Sequence, residues 1–407
     1  MVTSYWITNV RLESGYRKEQ DKIVATQTEI AHLLIADGRI AQIEYGTEPP
    51  RTDLPKQDAA GLLALPSFRD MHIHIDKTYY GGPWKAVTPI KTILDRLAEE
   101  AQLMTQLLPT AQERAEKMLA LLLSAGTTHV RTHCNIDPYI GLKNLEATLM
   151  AIETFRGKMS CEIVAFPQQG LLRSNQVENI RQALKMGATY VGGVDPATVD
   201  QNIEKSLATV FELAVEADAP IDLHLHDPDY LGIFTFKRLA RMTEEAGWKG
   251  RVTISHANSL ADISLAEAGE VAEMLAEQGI SITSTVPVVK PTIPIPLLRE
   301  KGVAVSLGDD SITDHWSPFG QGDSLEKAGR LAERFRMQDE RSLSQALGFI
   351  TGGKTPLDKE GSRQWPNVGD EADIVFLHAA SAGEAVARRS KRQAVMFKGN
   401  VVHGSLH

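Results

Sequence analysis

The chain has 407 residues, of which 43% are hydrophobic and 23% charged, and its formal net charge is -9. This composition is typical of a soluble globular protein, and the length exceeds that of one ordinary domain. The negative charge argues against a nucleic-acid or anionic-membrane partner. Two cysteines, Cys134 and Cys161, imply no disulfide framework. No apolar run approaches the ~20 residues of a membrane span, and no signal peptide is evident, so we predict a cytoplasmic protein.

Both ends of the chain carry sequence that favours β-strands. These stretches are rich in β-branched and aromatic residues, and they contain the turn signals Asp37-Gly38 and Lys398-Gly399-Asn400. The strand-like segments are residues 5–12, 32–44, 369–377 and 393–402. We predict that residues 1–60 and 355–407 form one small β-sandwich domain, with a catalytic barrel domain, residues 61–354, inserted between them.

The middle of the chain alternates between strand-like and helical runs. Helical patterns such as residues 202–217 and 265–278 separate several of the strands. The eight strand candidates are Phe68–His74, Thr128–His133, Glu162–Phe166, Tyr190–Val194, Pro220–His226, Arg251–His256, Ile280–Ser284 and Val303–Leu307. Alternation of this kind predicts an α/β fold with a parallel sheet, and eight units indicate a (β/α)8 TIM barrel.

Histidines and aspartates fall at the ends of these strands. His72 and His74 end the first strand, and alternate residues of a strand share one face. His224 and His226 end the fifth strand in the same way, His256 ends the sixth, and Asp309-Asp310 follow the eighth. Strand ends converge on the catalytic face of such a barrel. The pattern therefore predicts a site for one divalent metal ion, bound by His72, His74, a histidine of the fifth strand and an aspartate after the eighth.

Nitrogen and oxygen ligands without sulfur suit Zn²⁺ or Fe²⁺. Such an ion lowers the pKa of water to roughly 7, which makes hydroxide available as a nucleophile. A carboxylate beside the ion can take the proton of the water, and nearby histidines can protonate a leaving group.

The chain resembles the amidohydrolase superfamily, in the branch of cytosine deaminase and N-isopropylammelide isopropylaminohydrolase. The segments that carry the resemblance are residues 66–77, 129–133, 164–168, 191–198, 222–227, 255–257 and 314–320. The resemblance implies a barrel with a β-sandwich made from both termini. It also implies that His72, His74, His224 and Asp310 are the metal ligands. By the same resemblance His256 orients the water, Gln168 reads the ring and Trp316 lines the pocket, and His133 and Ser311 complete the substrate-binding set.

The sequence departs from both named relatives around the proton donor. Cytosine deaminase has a glutamate where this chain has Asp227, whereas the triazine enzyme uses a histidine at the position of His226 and shares Lys77. Asn135 stands where both have aspartate. We expect His226 to shuttle the proton, His256 and Asp310 to activate the water, and Lys77 to assist. Asp227 is the alternative shuttle, and otherwise a substrate-binding residue.

We predict a metal-dependent hydrolase that removes ammonia or an alkylamine from an aromatic N-heterocycle, either an aminopyrimidine or an amino-s-triazine. Its expected partner is that small molecule, with a homo-oligomer possible. One alternative is a cyclic-amide hydrolase that opens a ring. Binuclear enzymes of that kind carry a lysine at the end of the fourth barrel strand, where this chain has Gly192-Gly-Val-Asp195. A further alternative is a non-catalytic scaffold of the same fold.

Overall fold

The computed structural model describes residues 4–407. Its strands form two sheets. In chain order they are β1 (Tyr5–Glu19), β2 (Lys22–Ala36), β3 (Arg39–Tyr45), β4 (Lys56–Asp58), β5 (Leu63–Pro66), β6 (Phe68–Ile73), β7 (Thr127–Asn135), β8 (Ser160–Phe166), β9 (Tyr190–Val194), β10 (Ile221–His224), β11 (Val252–Ser255), β12 (Ser281–Ser284), β13 (Val305–Leu307), β14 (Ile374–Leu377), β15 (Arg392–Phe397) and β16 (Asn400–Gly404).

Helices alternate with the strands through the middle of the chain. They are α1 (Ile93–Leu107), α2 (Ala111–Ser124), α3 (Lys143–Thr154), α4 (Val177–Met186), α5 (Ile203–Ala217), α6 (Asp229–Glu245), α7 (Leu265–Glu277), α8 (Ile295–Glu300), α9 (Ser324–Arg334), α10 (Glu340–Ala346) and α11 (Ala382–Arg388). Between residues 4 and 407, no helix is both long enough and apolar enough to cross a membrane.

Strands β6 to β13 form a parallel sheet in which each strand lies beside its neighbour in the chain. Helices follow most of these strands and cover the sheet, as parallel sheets require. All eight strand candidates of the sequence analysis are present. The predicted fold class, a (β/α)8 barrel beside a smaller β structure from both chain ends, is confirmed.

The second sheet joins the two chain ends in the order β16-β15-β14-β5-β1-β2-β3, with β4 paired to β1. Its central strands are buried on both faces. In β14, Ile374 and Phe376 pack into the core of this sheet, whereas Val375 and Leu377 belong to the barrel core. The two-residue period of a strand produces this division, which fixes the sheet against the barrel.

Two features of the second sheet differ from the simplest sequence interpretation. Strands β1 and β2 extend into one long hairpin, which turns at Gln20 and Asp21, both with positive φ. Strand β5 pairs with β1 and β14, and only Ser67 separates it from β6 of the barrel. The division of the chain at residues 60 and 355 stays a prediction.

The buried Glu13 makes the free energy of unfolding depend on pH. Its carboxylate is buried and accepts a hydrogen bond from the backbone N–H of Ala382 at 2.5 Å. Burial raises the pKa of Glu13 from 4.5 to about 7, and nearby Glu340 acts in the same direction. The folded state therefore binds this proton more tightly than the unfolded state, so the free energy of unfolding falls as pH rises from about 4.5 to about 7.

Glu13→Gln should stabilise the protein at pH 8 by on the order of 1–3 kcal/mol, because it keeps a hydrogen-bond acceptor and removes the buried charge. At pH 4 the two proteins should melt alike. Thermal melts at both pH values check this, with Glu19→Gln at the exposed end of β1 as the control. An equal difference between Glu13→Gln and wild type at pH 4 and pH 8 would contradict the linkage.

Candidate metal centre and active site

The barrel closes at the side chains predicted to bind metal. The backbone N–H of Asp310 donates to the carbonyl of His72 at 2.6 Å, and the N–H of His74 donates to the carbonyl of Asp310 at 3.1 Å. Asp310 adopts a left-handed backbone with φ of 65°, which is uncommon for a residue with a Cβ. Its Oδ1 lies 3.4 Å from Nε2 of both His72 and His74. The closure thus brings three candidate ligands to one point.

Hydrogen bonds fix the tautomers of both histidines. Nδ1 of His74 lies 3.1 Å from the carbonyl oxygen of His133, which can only accept. Nδ1 of His72 lies 2.8 Å from the hydroxyl of Ser255, which donates its own proton to Asp222 at 2.6 Å. Both Nδ1 atoms therefore carry the proton in the neutral rings, and both Nε2 atoms present a lone pair toward Asp310.

His224 and His133 extend this group of candidate ligands. Ligand atoms of His72, His74 and Asp310 lie within 4.8 Å of one another, and so do those of His72, His133 and His224. Neither ring nitrogen of His224 or His133 has a hydrogen-bond partner among residues 4–407. Burial lowers the pKa of His224 and of His133 well below its usual range. Neutral imidazoles with free lone pairs are the form that binds a metal.

The charge at Asp310 complements these rings. Burial alone would raise the pKa of its carboxyl, but the adjacent His72 and His74 hold the pKa of Asp310 well below its ordinary value. The donor set is thus three or more neutral nitrogens and one carboxylate. Those residues fit a Zn²⁺ or Fe²⁺ ion, and His72, His74, His224 and Asp310 could hold it.

A small pocket lies directly above these side chains. Its volume is about 70 Å³, and it opens into an outer cavity of about 550 Å³. The pocket is lined by nine residues, all named in the sequence analysis: His74, Lys77, Gln168, His224, His226, His256, Asp310, Ser311 and Trp316. The outer cavity adds an apolar wall that includes Ile93, Leu97, Val288 and Val289. Of the other predicted site residues, His72 and His133 lie beneath the pocket.

His226 lies on the rim beside His256 and is oriented by Asp195. Oδ2 of Asp195 accepts a hydrogen bond from Nδ1 of His226 at 2.9 Å, and Oδ1 accepts from the backbone N–H of His226 at 2.5 Å. Burial acts to lower the pKa of His226, yet the Asp195 carboxylate raises it above its ordinary value. Burial lowers the pKa of His256 well below its usual range. The rim therefore offers one imidazole suited to donate a proton and one that stays neutral.

Asp227 lies outside the pocket. Its carboxylate accepts hydrogen bonds from the backbone N–H groups of Ala197 and Thr198 at 3.0 and 3.1 Å and from the hydroxyl of Thr198 at 2.7 Å. The structure therefore brings His226, and not Asp227, to the other predicted site residues.

Two residues to which the sequence analysis gives no role in the site contact its predicted members. Asp195 follows strand β9 directly, and a carboxylate at a barrel strand end is the signal that could have identified it. Glu100 lies on α1 and contacts Lys77, Asn135, His315 and Trp316. It occupies the same helix face as Leu97 and Met104, so the signal was a carboxylate within an apolar stripe.

Gly308 allows the last barrel strand to approach the first. A Cβ at this position would lie 2.5 Å from the backbone nitrogen of His72 and 2.6 Å from its carbonyl oxygen. Gly308→Ala should therefore displace His72, lower the free energy of unfolding by roughly 1–3 kcal/mol and weaken metal binding.

Melting temperature and metal content after dialysis measure these two effects. The matched control is Gly269→Ala within α7, where the nearest atom to an added Cβ is a Lys301 side-chain carbon at 3.7 Å. That variant should be at least as stable as the wild type. Unchanged metal content in Gly308→Ala would contradict the expected displacement.

The comparisons with known proteins agree with this fold. The model of the amidohydrolase family matches residues 57–403. The chain therefore belongs to the amidohydrolase family, and it is an enzyme that hydrolyses C–N bonds other than peptide bonds.

Three proteins illustrate what the chain is similar to. Uncharacterized protein YahJ of Escherichia coli (strain K12) is 43% identical over 99% of this chain and 88% of its own length. The crystal structure of N-isopropylammelide isopropylaminohydrolase from Burkholderia multivorans ATCC 17616 has a TM-score of 0.87, with 30% identity and 100% of both chains covered. That of 5-methylcytosine deaminase from Klebsiella pneumoniae, liganded with phosphonocytosine, has a TM-score of 0.79, with 26% identity and 98% of both chains covered. The predicted family and branch are thus confirmed.

Proposed function

We propose that this enzyme removes ammonia or an alkylamine from an aromatic N-heterocycle, an aminopyrimidine or an amino-s-triazine, with one Zn²⁺ or Fe²⁺ ion held by His72, His74, His224 and Asp310. One observation carries the proposal. The Nε2 lone pairs of His72 and His74 converge on Asp310 at the floor of a pocket whose rim holds a paired proton donor, His226.

The bound ion would supply Lewis acidity, which lowers the pKa of water so that hydroxide is available near neutral pH. Asp310 is ionised and can take the proton of the attacking water. His256 is neutral and lies 4.3 Å from His226 between ring centroids, so it can hold the water by a hydrogen bond without adding charge.

His226 would give its proton to the leaving nitrogen, because an amide anion is too basic to depart from the ring. Asp195 keeps this imidazole oriented and favours its protonated form. Lys77 and Gln168 also line the pocket and would bind the ring edge, while Trp316 offers an aromatic face.

The names of the two similar crystal structures support a heterocyclic substrate. One acts on an ammelide that carries an isopropylamine, and the other on a methylcytosine, as their names state. The fourth barrel strand, β9, ends at Val194 and is followed by Asp195. No lysine stands there to bridge a second metal, which favours amine release over the ring-opening alternative.

The test is a release assay with metal-loaded protein against a panel of aminopyrimidines and amino-s-triazines. Ammonia and alkylamine are scored separately, and NMR follows whether the ring stays closed. His72→Ala, purified in parallel, controls for contaminating hydrolases. Amine release with an intact ring supports the proposal. A ring-opened product, or release that is equal in the His72→Ala protein, would overturn it.

A further inference from the structure

Glu100 is a fully buried carboxylate with no role in the mechanism above. Its Oε1 accepts a hydrogen bond from Nδ2 of Asn135 and lies 3.6 Å from Nζ of Lys77. Its Oε2 accepts from Nε2 of His315 at 2.7 Å and from Nε1 of Trp316 at 2.8 Å. Four groups from three separate parts of the barrel rim therefore meet on one side chain of α1.

A carboxylate held in this way cannot serve as a proton carrier. Burial alone would raise its pKa, but the Lys77 ammonium and His315 hold the pKa of Glu100 far below its ordinary value. All of its neighbours are donors, so both oxygens are occupied while the group stays ionised. The remaining role for such a group is to fix the positions of its donors.

Two of the four donors, Trp316 and Lys77, line the inner pocket, and Lys77 is the charged one. Its side chain is only 1% exposed, yet it lines the inner pocket, and its ammonium also donates to Oε1 of Gln168 at 2.7 Å. Since Oε1 of Gln168 is occupied by Lys77, the amide NH₂ of Gln168 is the group left for a ligand. Lys77 and Gln168 therefore present N–H donors on this wall of the pocket.

We propose that Glu100 is a positioning residue, which acts through Lys77 and so sets the affinity of this wall of the pocket for the heterocycle. A wall made of donors pairs with carbonyl or ionised ring oxygens and not with a second amino group. This inference rests on the proposed function and adds a residue that positions the substrate-binding wall of the same site.

Asn135 supports the same assignment. It donates its backbone N–H to Asp76 at 2.8 Å and its side-chain amide to Glu100. An aspartate at this position would place a further negative charge against both buried carboxylates, whereas the asparagine supplies a donor. The residue type at 135 thus matches the presence of a charged Glu100.

Binding of cyanuric acid, an oxo-triazine with no amine to lose, tests the inference by calorimetry alongside the kinetics of amine release. Glu100→Gln should raise the Kd of cyanuric acid, and the KM of the substrate found in the panel, by about tenfold or more with a smaller change in kcat, since a buried charge pair is broken. In a Lys77→Met background the same substitution should change the Kd by less than about twofold, because the two groups act as one unit. The matched control is Glu99→Gln, the neighbouring residue of α1, which pairs with Arg96 and should bind as the wild type does.

Equal effects of Glu100→Gln with and without Lys77, or a wild-type Kd in the Glu100→Gln protein, would overturn the inference. Thermal melts confirm that each variant is folded. If Glu100→Gln does not fold, Glu100→Asp replaces it in the same cycle, with the same expectation and the same overturning result. If the wild type releases amine and neither Glu100→Gln nor Glu100→Asp changes the Kd of cyanuric acid, the positioning role is wrong and the proposed function stands. If the Kd values follow the expected pattern but the wild type releases no amine, the positioning role is supported and only the proposed function is wrong.

Discussion

His72→Ala should abolish amine release and leave the protein without its metal ion. His72 contributes one of the two Nε2 lone pairs that face Asp310, and its ring also contacts His133, at 4.0 Å between centroids. Loss of an outer-shell partner weakens metal binding by about 10–100-fold, so loss of a ligand should exceed that range. The fold should survive, because the apolar core lies between the sheet and its helices.

Elemental analysis, amine release and a thermal melt measure the three effects on one preparation. His129→Ala is the matched control. His129 lies in β7, its Nδ1 is 2.8 Å from the hydroxyl oxygen of Ser160, and it does not line the pocket. That protein should keep both metal and turnover. Wild-type metal content in His72→Ala would exclude His72 as a ligand, and two tightly held ions per wild-type chain would contradict the single-metal site.

His226→Asn should lower kcat by roughly 10²–10⁴-fold with full metal content, because a general acid contributes about that much to the rate. Asp227→Asn should keep most of its turnover. The Asp227 carboxylate accepts hydrogen bonds from Ala197 and Thr198 with both of its oxygens, and the amide nitrogen of an asparagine cannot accept. The substitution should therefore lower the free energy of unfolding by about 1–2 kcal/mol.

The two variants control for each other, because they change adjacent residues and each replaces a titrating side chain with an amide. Single-turnover rates, metal content and melting temperature are compared for both. If Asp227→Asn is inactive while His226→Asn turns over normally with full metal, the proton passes through Asp227 and His226 only supports the site.

The strand-end histidines could be predicted because a strand fixes the direction of alternate side chains. His72 and His74 follow this rule closely enough that both reach the same oxygen of Asp310, although the pairing of β6 with β7 shifts register between Asp70 and Ile73. His226 reaches the pocket for a different reason. Strand β10 ends at His224, and the bonds to Asp195 orient His226 in place of the strand geometry.

Glu100 and the position of Asp227 could not be predicted in the same way. Each depends on contacts between segments far apart in the chain, such as Glu100 and His315, which are 215 positions apart. Periodicity describes one element at a time and carries no information about which buried carboxylate meets which donor. The eight barrel strands needed only local patterns and so were all identified.

The pairing of β5 with β14 sets the order in which this chain can complete its fold. Strand β14 begins at Ile374, after the whole barrel, and strands β15 and β16 follow it. During synthesis the ribosome therefore releases every barrel strand before β14, the second partner of β5, emerges, and only Ser67 links β5 to the strand that bears His72. Closure of such distant contacts is slow because it must overcome a large loop entropy. A nascent chain that ends before β14 therefore holds His72 on a strand whose neighbour, β5, still lacks its pairing with β14.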